Sequence, residues 1–113
     1  DYIVTQMFFD NKKYFEFIEQ CREAGITVPI IPGIKVLTTK KQLTVLPKTF
    51  HIDIPGELQD EVEKCATDKE VKEVGIEWCI NQTKELKKSG APCLHFYTMG
   101  NSDSVRRVAS EVF

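Results

Sequence analysis

The sequence predicts an α/β fold made of three consecutive βα units. Three short runs of branched and aromatic apolar residues, at residues 2–9, 28–34 and 93–100, predict strands, and a segment of helical periodicity follows each run. The middle run is uncharged and lacks polar alternation, which is typical of a strand buried on both faces of a parallel sheet. Because parallel strands need crossover connections, this alternation predicts right-handed βαβ units.

The overall composition fits one domain with one core. The 113 residues are 42% hydrophobic and 28% charged with a net charge of −2, so we expect neither nucleic acid nor a membrane as a partner. No run approaches the roughly 20 apolar residues that a membrane span needs. The chain enters its first predicted strand directly after Asp1, without an initiator Met. We therefore expect it to be a piece of a longer protein.

Four cysteines are spread along the chain, at Cys21, Cys65, Cys79 and Cys93. They form no Cys-x-x-Cys pair, and no histidine stands at ligand spacing, so we predict no metal site. Cys21 and Cys79 lie on apolar faces of predicted helices. This placement favours free core thiols in a reducing cytoplasm over disulfides.

The first βα unit combines a strand over residues 3–9 with an amphipathic helix. Alternation along the strand places Gln6 among apolar neighbours on one face. Asp10-Asn11 offers the helix cap, and Gly25 offers the stop. The apolar stripe of the helix consists of Tyr14, Phe15, Phe17, Ile18 and Cys21.

The second unit contains prolines that shorten its predicted strand. Pro29 and Pro32 each remove a ladder donor. We therefore predict a strand over residues 28–31, with Pro32-Gly33 as its exit.

The segment after this strand predicts a short helix and then a connection. Thr38 or Thr39 caps a helix over residues 40–46, and Pro47 limits it. Residues 48–55 alternate apolar and polar side chains, which leaves a strand open, but the Pro-Gly pair that follows favours an extended linker.

The remaining elements complete the βα rhythm. The sequence predicts a charged helix over 57–65, a long amphipathic helix over 71–88, a third strand over 94–99, and a last helix that begins after the turn at 100–102. From the residues alone, such units belong either to a doubly wound sheet or to part of a (β/α)8 barrel, which takes about 250 residues.

In both architectures ligands meet the carboxyl ends of the strands. This rule selects Gln6, Gly33, Tyr97, Met99 and Gly100, together with Gln42 on the following helix.

These residues also have purely structural interpretations. Gln6 is either a buried amide satisfied by backbone or a ligand contact, and the residues leave both open. Gln42 taken alone is typical of a solvated helix position, whereas His95 and Tyr97 are typical of core positions. Residues 100–102 are better explained by helix capping than by an anion site. No Gly-x-Gly-x-x-Gly, P-loop or Gly-x-Ser-x-Gly motif occurs.

Three motifs taken in order resemble methylenetetrahydrofolate reductase over essentially the whole chain. They are Thr5-Gln6-Met7-Phe8-Phe9-Asp10, Ile30-Ile31-Pro32-Gly33-Ile34 and His95-Phe96-Tyr97-Thr98-Met99. The resemblance implies a flavin-bearing (β/α)8 TIM barrel that reduces 5,10-methylenetetrahydrofolate to 5-methyltetrahydrofolate. A nicotinamide nucleotide, NADH or NADPH, would first reduce the FAD. Residues 1–113 would be the C-terminal portion of this reductase domain, with its last three strands and helices.

The resemblance also implies contacts for substrate and cofactor. Gln6 would contact the folate pterin and, in turn, the nicotinamide. Gln42 would contact folate as well. Leu46 stands where some members of the family carry an aromatic residue beside the nicotinamide or the folate.

Further substrate contacts are implied at the third strand. Tyr97 and Met99 belong to the matching motif, and Met99 keeps an apolar contact. Asn101 stands where the family motif has an arginine that pairs with the folate glutamate. The catalytic residues and most FAD contacts would lie on earlier strands, so none is named in this sequence.

The implied whole is a cytoplasmic enzyme with folate as substrate. We expect its partners to be the rest of the barrel and further copies of itself in a homo-oligomer, and we expect the 113 residues alone to be inactive. Two alternatives stay open, a small non-catalytic α/β ligand-binding module and an unrelated doubly wound domain.

Overall fold

The computed structural model describes residues 2–50, 52–91, 93–97 and 103–112. Its elements are β1 (Ile3–Phe8), α1 (Asn11–Glu23), β2 (Ile30–Ile34), α2 (Gln42–Phe50), α3 (Gly56–Glu63), α4 (Asp68–Lys88), β3 (His95–Phe96) and α5 (Asp103–Val112). The strands form one parallel sheet in the order β1-β2-β3. The predicted α/β fold of three βα units is therefore confirmed.

Strands β1 and β2 pair around an irregularity that the sequence did not reveal. Val4 is opposite Ile31 and Met7 is opposite Gly33, so two residues of β1 face the single Pro32. This arrangement is a β-bulge. Since Pro32 has no N–H to donate, it fits at a point where the ladder is already interrupted. The prediction that the strand ends at residue 31 and exits at Pro32-Gly33 is therefore wrong.

Two clusters of buried side chains form the core. The helix-side cluster packs α1, α4 and α5 against the sheet, and its buried members are Phe8, Tyr14, Cys21, Ile30, Ile34, Val36, Ile76, Cys79, Leu86 and Val108. The loop-side cluster packs α2 and α3 against the ends of β1 and α4, and its buried members are Met7, Phe9, Leu37, Leu46, Ile52, Leu58, Val62, Cys65 and Val71.

Several predicted helix ends are confirmed. The Asp10 side chain caps α1 by accepting a hydrogen bond from Lys12 N at 3.0 Å. Gly25 and Gly90 follow the ends of α1 and α4 with φ of +85° and +93°, the left-handed conformation that glycine adopts without strain. The ends therefore follow local residue chemistry.

Helix α2 continues through Pro47 to Phe50, so the prediction that this proline limits the helix is wrong. A proline at this position removes one intrahelical hydrogen bond. Leu46 is 2% exposed and Leu43 packs beside it in the loop-side cluster. This packing outweighs the local penalty. The linker prediction over residues 48–55 is wrong for residues 48–50, which belong to α2, whereas residues 52–55 have neither helix nor strand structure, as it predicted.

Helix α4 passes directly beneath the chain that leaves β2. A Cβ built on Gly75 would overlap the backbone of Leu37. Only glycine therefore allows this crossing.

The third strand is shorter than predicted, and its assigned residues are His95 and Phe96. Tyr97 N still donates to Ile34 O at 2.8 Å. The side chain of His95 is exposed, so its prediction as a core residue is wrong. The predicted continuation of this strand and the turn at residues 98–102 lie outside the described residues.

Among the described helices, none is long and apolar enough to cross a membrane.

Candidate functional site

The carboxyl half of the sheet contains a hydrogen-bonded junction of Thr5, Gly33 and Tyr97. Gly33 N donates to Thr5 Oγ1 at 2.9 Å, and the Tyr97 hydroxyl donates to Thr5 O at 3.0 Å. One residue of β1, one residue of β2 and the residue directly after β3 thus meet at the bulge. The junction ties the three strands together where β1 departs from regular pairing.

Gly33 is required by this junction for steric reasons. A Cβ at this position would lie 2.5 Å from Thr5 O and 2.7 Å from Tyr97 Cε2. Any side chain would therefore separate the Tyr97 ring from the backbone of β1. The Tyr97 ring also meets His95 edge-on, with ring centroids 4.7 Å apart.

Gln6 occupies the bulge itself, and its side chain is exposed. Its Oε1 accepts a hydrogen bond from Met7 N at 3.3 Å. Its Nε2 donates to no residue in the described ranges. The interpretation of Gln6 as a buried amide satisfied by backbone is therefore wrong, and the amide has donors to offer a ligand.

Gln42 is the first residue of α2, after the segment that connects β2 to this helix. Its Oε1 accepts hydrogen bonds from Thr38 N at 2.7 Å and from Thr39 N at 3.2 Å. The side chain therefore holds the turn that starts α2, in the manner of a capping box. The Nε2 atom makes no hydrogen bond with any residue that the structure describes, so the amide can position this turn and still donate to a ligand.

The other predicted contacts are placed differently. Leu46 is almost fully buried in the loop-side cluster, and Tyr97 is one of the partly buried residues that pack against this cluster. Met99 and Asn101 lie outside the described residues. The structure thus places Gln6 and Tyr97 at one junction, Gln42 at the start of α2, and Leu46 in the core.

Lys35 is a candidate functional residue that the sequence analysis did not identify. It directly follows β2, is 5% exposed, and donates from Nζ to Val36 O at 3.2 Å. Burial lowers the pKa of this ammonium group, while the nearby Cys79 acts in the opposite direction. The available signal was a single charge inside the apolar run from Ile30 to Leu37.

The sequence analysis also missed a group of polar side chains that connects the end of β1 and the start of α1 to α4. Trp78 Nε1 donates to Phe9 O at 2.8 Å, and Gln82 Nε2 donates to Phe8 O at 2.9 Å. Asn11 Nδ2 donates to Gln82 O at 3.0 Å. These polar groups interrupt an otherwise apolar helix face, and that interruption was their signal in the sequence.

The cysteines are free thiols. Cys21, Cys65 and Cys79 are buried and Cys93 is exposed. Burial raises the pKa of Cys79 to about 12, so this thiol stays protonated. Within the described part of the chain, no group of three His, Cys, Asp or Glu side chains is placed to hold a metal ion.

Comparison with known families decides the assignment. The family model described as methylenetetrahydrofolate reductase matches residues 1–112. This chain belongs to the methylenetetrahydrofolate reductase family. The resemblance found in the three sequence motifs is thereby confirmed.

Named methylenetetrahydrofolate reductases are similar to most of this chain. A probable methylenetetrahydrofolate reductase (NADPH) of Caenorhabditis elegans is 34% identical over 96% of the chain, which spans 17% of that protein. Methylenetetrahydrofolate reductase (NADH) 1 of Arabidopsis thaliana is 34% identical over 88%, and the chain spans 17% of it. The 5,10-methylenetetrahydrofolate reductase of Salmonella typhimurium is 33% identical over 88%, with 34% of that protein covered. The chain therefore spans well under two thirds of these relatives.

A solved structure shares the fold. It is an uncharacterized protein from Clostridium thermocellum that binds two copies of 5-methyl-5,6,7,8-tetrahydrofolic acid. The TM-score is 0.67 at 17% identity, and the match covers 98% of this chain and 41% of that one.

Proposed function

We propose that this chain forms the substrate side of a flavin-dependent methylenetetrahydrofolate reductase. The whole protein reduces 5,10-methylenetetrahydrofolate to 5-methyltetrahydrofolate, with FAD as cofactor and NADH or NADPH as co-substrate. Membership of the reductase family supports the reaction. The folate bound by the Clostridium thermocellum protein of similar fold supports the substrate class.

The observation that carries this proposal is the exposed Gln6 amide at the bulge. A β-bulge turns a side chain out of the regular alternation of its strand. The junction at Thr5 holds the backbone on one side of Gln6, and Tyr97, the residue directly after β3, donates a hydrogen bond to that junction. An amide offers both donors and an acceptor, which suits the polar edge of a pterin or the carboxamide of a nicotinamide.

Closure into a (β/α)8 barrel is part of the proposal. Strand β1 is an edge of the three-stranded sheet, and an open edge favours pairing with another strand. Beside it lies a cavity of about 440 Å³ lined by β1, α1 and residues 52–53. The exposed apolar side chains Tyr2 and Phe17, at 67% and 39%, flank this side. The preceding βα unit of the longer protein would cover this surface.

The described residues fit a supporting role toward the cofactors. The flavin, when bound, supplies the hydride chemistry, and most of its contacts would lie upstream. Gln6 orients folate and nicotinamide in turn. Gln42 holds the turn before α2 and donates its amide to folate, while Tyr97 supports the bulge. The remaining proposed contacts are Leu46, Met99 and Asn101.

The proposal extends to the setting of the protein. We propose that the whole protein is a cytoplasmic homo-oligomer. Relatives named for NADPH and for NADH both exist, so either nucleotide is compatible with the family. The isolated 113 residues are expected to be inactive because the flavin-binding strands belong to the rest of the barrel.

Gln6→Ala in the full-length protein tests the proposal. We expect the KM for methylenetetrahydrofolate to rise about tenfold, since one or two hydrogen bonds to the substrate are lost. Flavin absorbance and the melting temperature should stay unchanged because Gln6 is exposed. The matched control is Gln20→Ala, which removes an exposed glutamine of α1.

Two results would contradict the proposal. One is a purified full-length protein without flavin absorbance or reductase activity, which would leave a non-catalytic binding module. The other is an equal KM for Gln6→Ala and Gln20→Ala, which would place the substrate away from the bulge.

A further inference from the structure

The peptide group between Gln6 and Met7 is bound by a side chain at each of its two polar atoms. Its oxygen, Gln6 O, accepts a hydrogen bond from Thr5 Oγ1 at 3.0 Å. Its N–H, on Met7, donates to Gln6 Oε1 at 3.3 Å. This peptide group therefore links the hydroxyl of Thr5 to the side-chain amide of Gln6.

The hydrogen bonds of the Thr5 hydroxyl can run in only one direction. Gly33 N donates to Thr5 Oγ1 at 2.9 Å, and a backbone N–H can only donate. The hydroxyl must then direct its own hydrogen at an acceptor, which is Gln6 O. A single hydroxyl thereby connects β2 to the peptide group that follows Gln6.

The same peptide group decides which end of the Gln6 amide is available to a ligand. Because Met7 N is a donor, the amide oxygen and not the amide nitrogen must lie against it. The Gln6 side chain is exposed, and its Nε2 donates to no described residue. The site therefore presents two N–H donors, which fit a carbonyl oxygen or an unprotonated ring nitrogen of a ligand.

Further contacts hold the backbone on the other side of Gln6. The Tyr97 hydroxyl donates to Thr5 O at 3.0 Å, so the peptide group before Gln6 also has a side-chain partner. Thr5 is β-branched, which restricts the rotation of its own side chain. With both neighbouring peptide groups held, the direction in which the Gln6 side chain leaves the strand is set.

We propose that Thr5 is a positioning residue for Gln6 in the reductase site. Its hydroxyl orients the peptide group between Gln6 and Met7, and this peptide group turns the amide donors of Gln6 toward an acceptor atom of the folate or of the nicotinamide. Thr5 itself touches neither ligand. The inference rests on the proposed function, because it requires that Gln6 binds both ligands in turn.

Steady-state kinetics of the full-length protein tests this role. Thr5→Val keeps the shape of the side chain and removes its oxygen, so we expect it to raise the KM for methylenetetrahydrofolate about fivefold at an unchanged kcat. The KM for the nicotinamide nucleotide should rise by a similar factor, since both ligands meet the same amide. Thr5→Ser keeps the hydroxyl and should leave both KM values within about twofold of the wild type. The matched control is Thr27→Val, which changes an exposed threonine before β2.

A double-mutant cycle separates positioning from a purely structural role. In a Gln6→Ala background the amide is absent, so adding Thr5→Val should change either KM less than about twofold. A purely structural role would lower the stability in both backgrounds without this dependence on Gln6. Thr5→Cys keeps a weak hydrogen-bonding group and should raise the KM about threefold, which supplies the measurement if Thr5→Val does not fold.

The outcomes distinguish this inference from the proposed function. Suppose that Gln6→Ala raises the KM. The inference alone is then wrong if Thr5→Val and Thr5→Cys leave the KM unchanged, if Thr5→Ser raises it as much as Thr5→Val does, or if Thr5→Val acts equally in the Gln6→Ala background. If Gln6→Ala has no effect on the KM, the proposed role of Gln6 is wrong and the role of Thr5 is wrong with it.

Discussion

The amide of Gly33 donates a hydrogen bond to the side chain of Thr5, across strands that are locally out of register. At the bulge, the Thr5 hydroxyl accepts the hydrogen bond that a backbone carbonyl of β1 would accept in a regular ladder. The arrangement lets β2 pass Pro32 without leaving a buried donor unpaired. It also leaves Gln6 free of the ladder.

Gly33→Ala should destabilise the protein by about 1–3 kcal/mol, the usual cost of forcing an extra carbon into a packed site. The new Cβ would meet Thr5 O at 2.5 Å and Tyr97 Cε2 at 2.7 Å. Urea unfolding measures the effect. Gly56→Ala, where a Cβ meets nothing within 4 Å, is the control, and equal stability of the two variants would contradict the prediction.

Thr5→Val keeps the shape of the side chain but removes its oxygen. Gly33 N then loses its acceptor at 2.9 Å, which should cost about 1–3 kcal/mol because the donor is partly buried. Chemical denaturation compares this variant with Thr44→Val, which changes an exposed threonine of α2. An unchanged midpoint for Thr5→Val would show that water replaces the hydroxyl.

Lys35→Met should stabilise the protein at pH 7, since it removes a buried ammonium group. Burial lowers the pKa of Lys35 below 10.5, so above that lowered pKa the unfolded chain binds more protons than the folded one. The stability of the wild type therefore rises with pH toward 10.5, and the advantage of Lys35→Met should shrink over that range.

The contribution of Cys79 to stability has the opposite pH dependence. Both the wild type and Lys35→Met contain this cysteine. Its pKa is raised from 9.0 to about 12, so its contribution to stability is lost as pH rises through that interval. Because Lys35 itself lowers the pKa of Cys79, wild-type Lys35 and Lys35→Met are compared in a Cys79→Ala background, which removes this effect. Lys84→Met removes an exposed lysine of α4 as the control. A constant difference between wild type and Lys35→Met across pH would contradict the prediction.

Iodoacetamide should label Cys93 first at pH 8. Cys93 is the exposed thiol, whereas Cys21, Cys65 and Cys79 are buried, and burial keeps Cys79 in its unreactive protonated form. Peptide mass spectrometry over a time course gives the order of labelling. Labelling of Cys79 at the rate of Cys93 would mean that α4 separates from the sheet.

The sequence was most informative where a residue acts on its own neighbours. Asp10 caps α1, and Gly25 and Gly90 follow helix ends, because each depends on chemistry within a few residues. Rules for proline failed twice because distant residues decide the outcome. Pro32 is accepted by a bulge in β1, and Pro47 is retained by packing around Leu46.

The candidate site was predictable in part for the same reason. The position of Gln6 in the carboxyl half of β1 followed from the order of elements, but its exposure depends on the bulge. The burial of Lys35 and the hydrogen bonds from Trp78 and Gln82 to the end of β1 arise from contacts between elements distant in sequence. No local pattern carries that information.

The contact of Gly75 with Leu37 brings together the two ends of the segment that contains α2 and α3. The segment containing α2 and α3 departs from the sheet at Leu37, and the chain comes back beneath that point at Gly75. The two ends of this segment are therefore in contact with each other. Insertions or deletions within that segment can therefore reshape the surface over the sheet while the strand pairing stays unaltered, provided that residue 75 has no side chain.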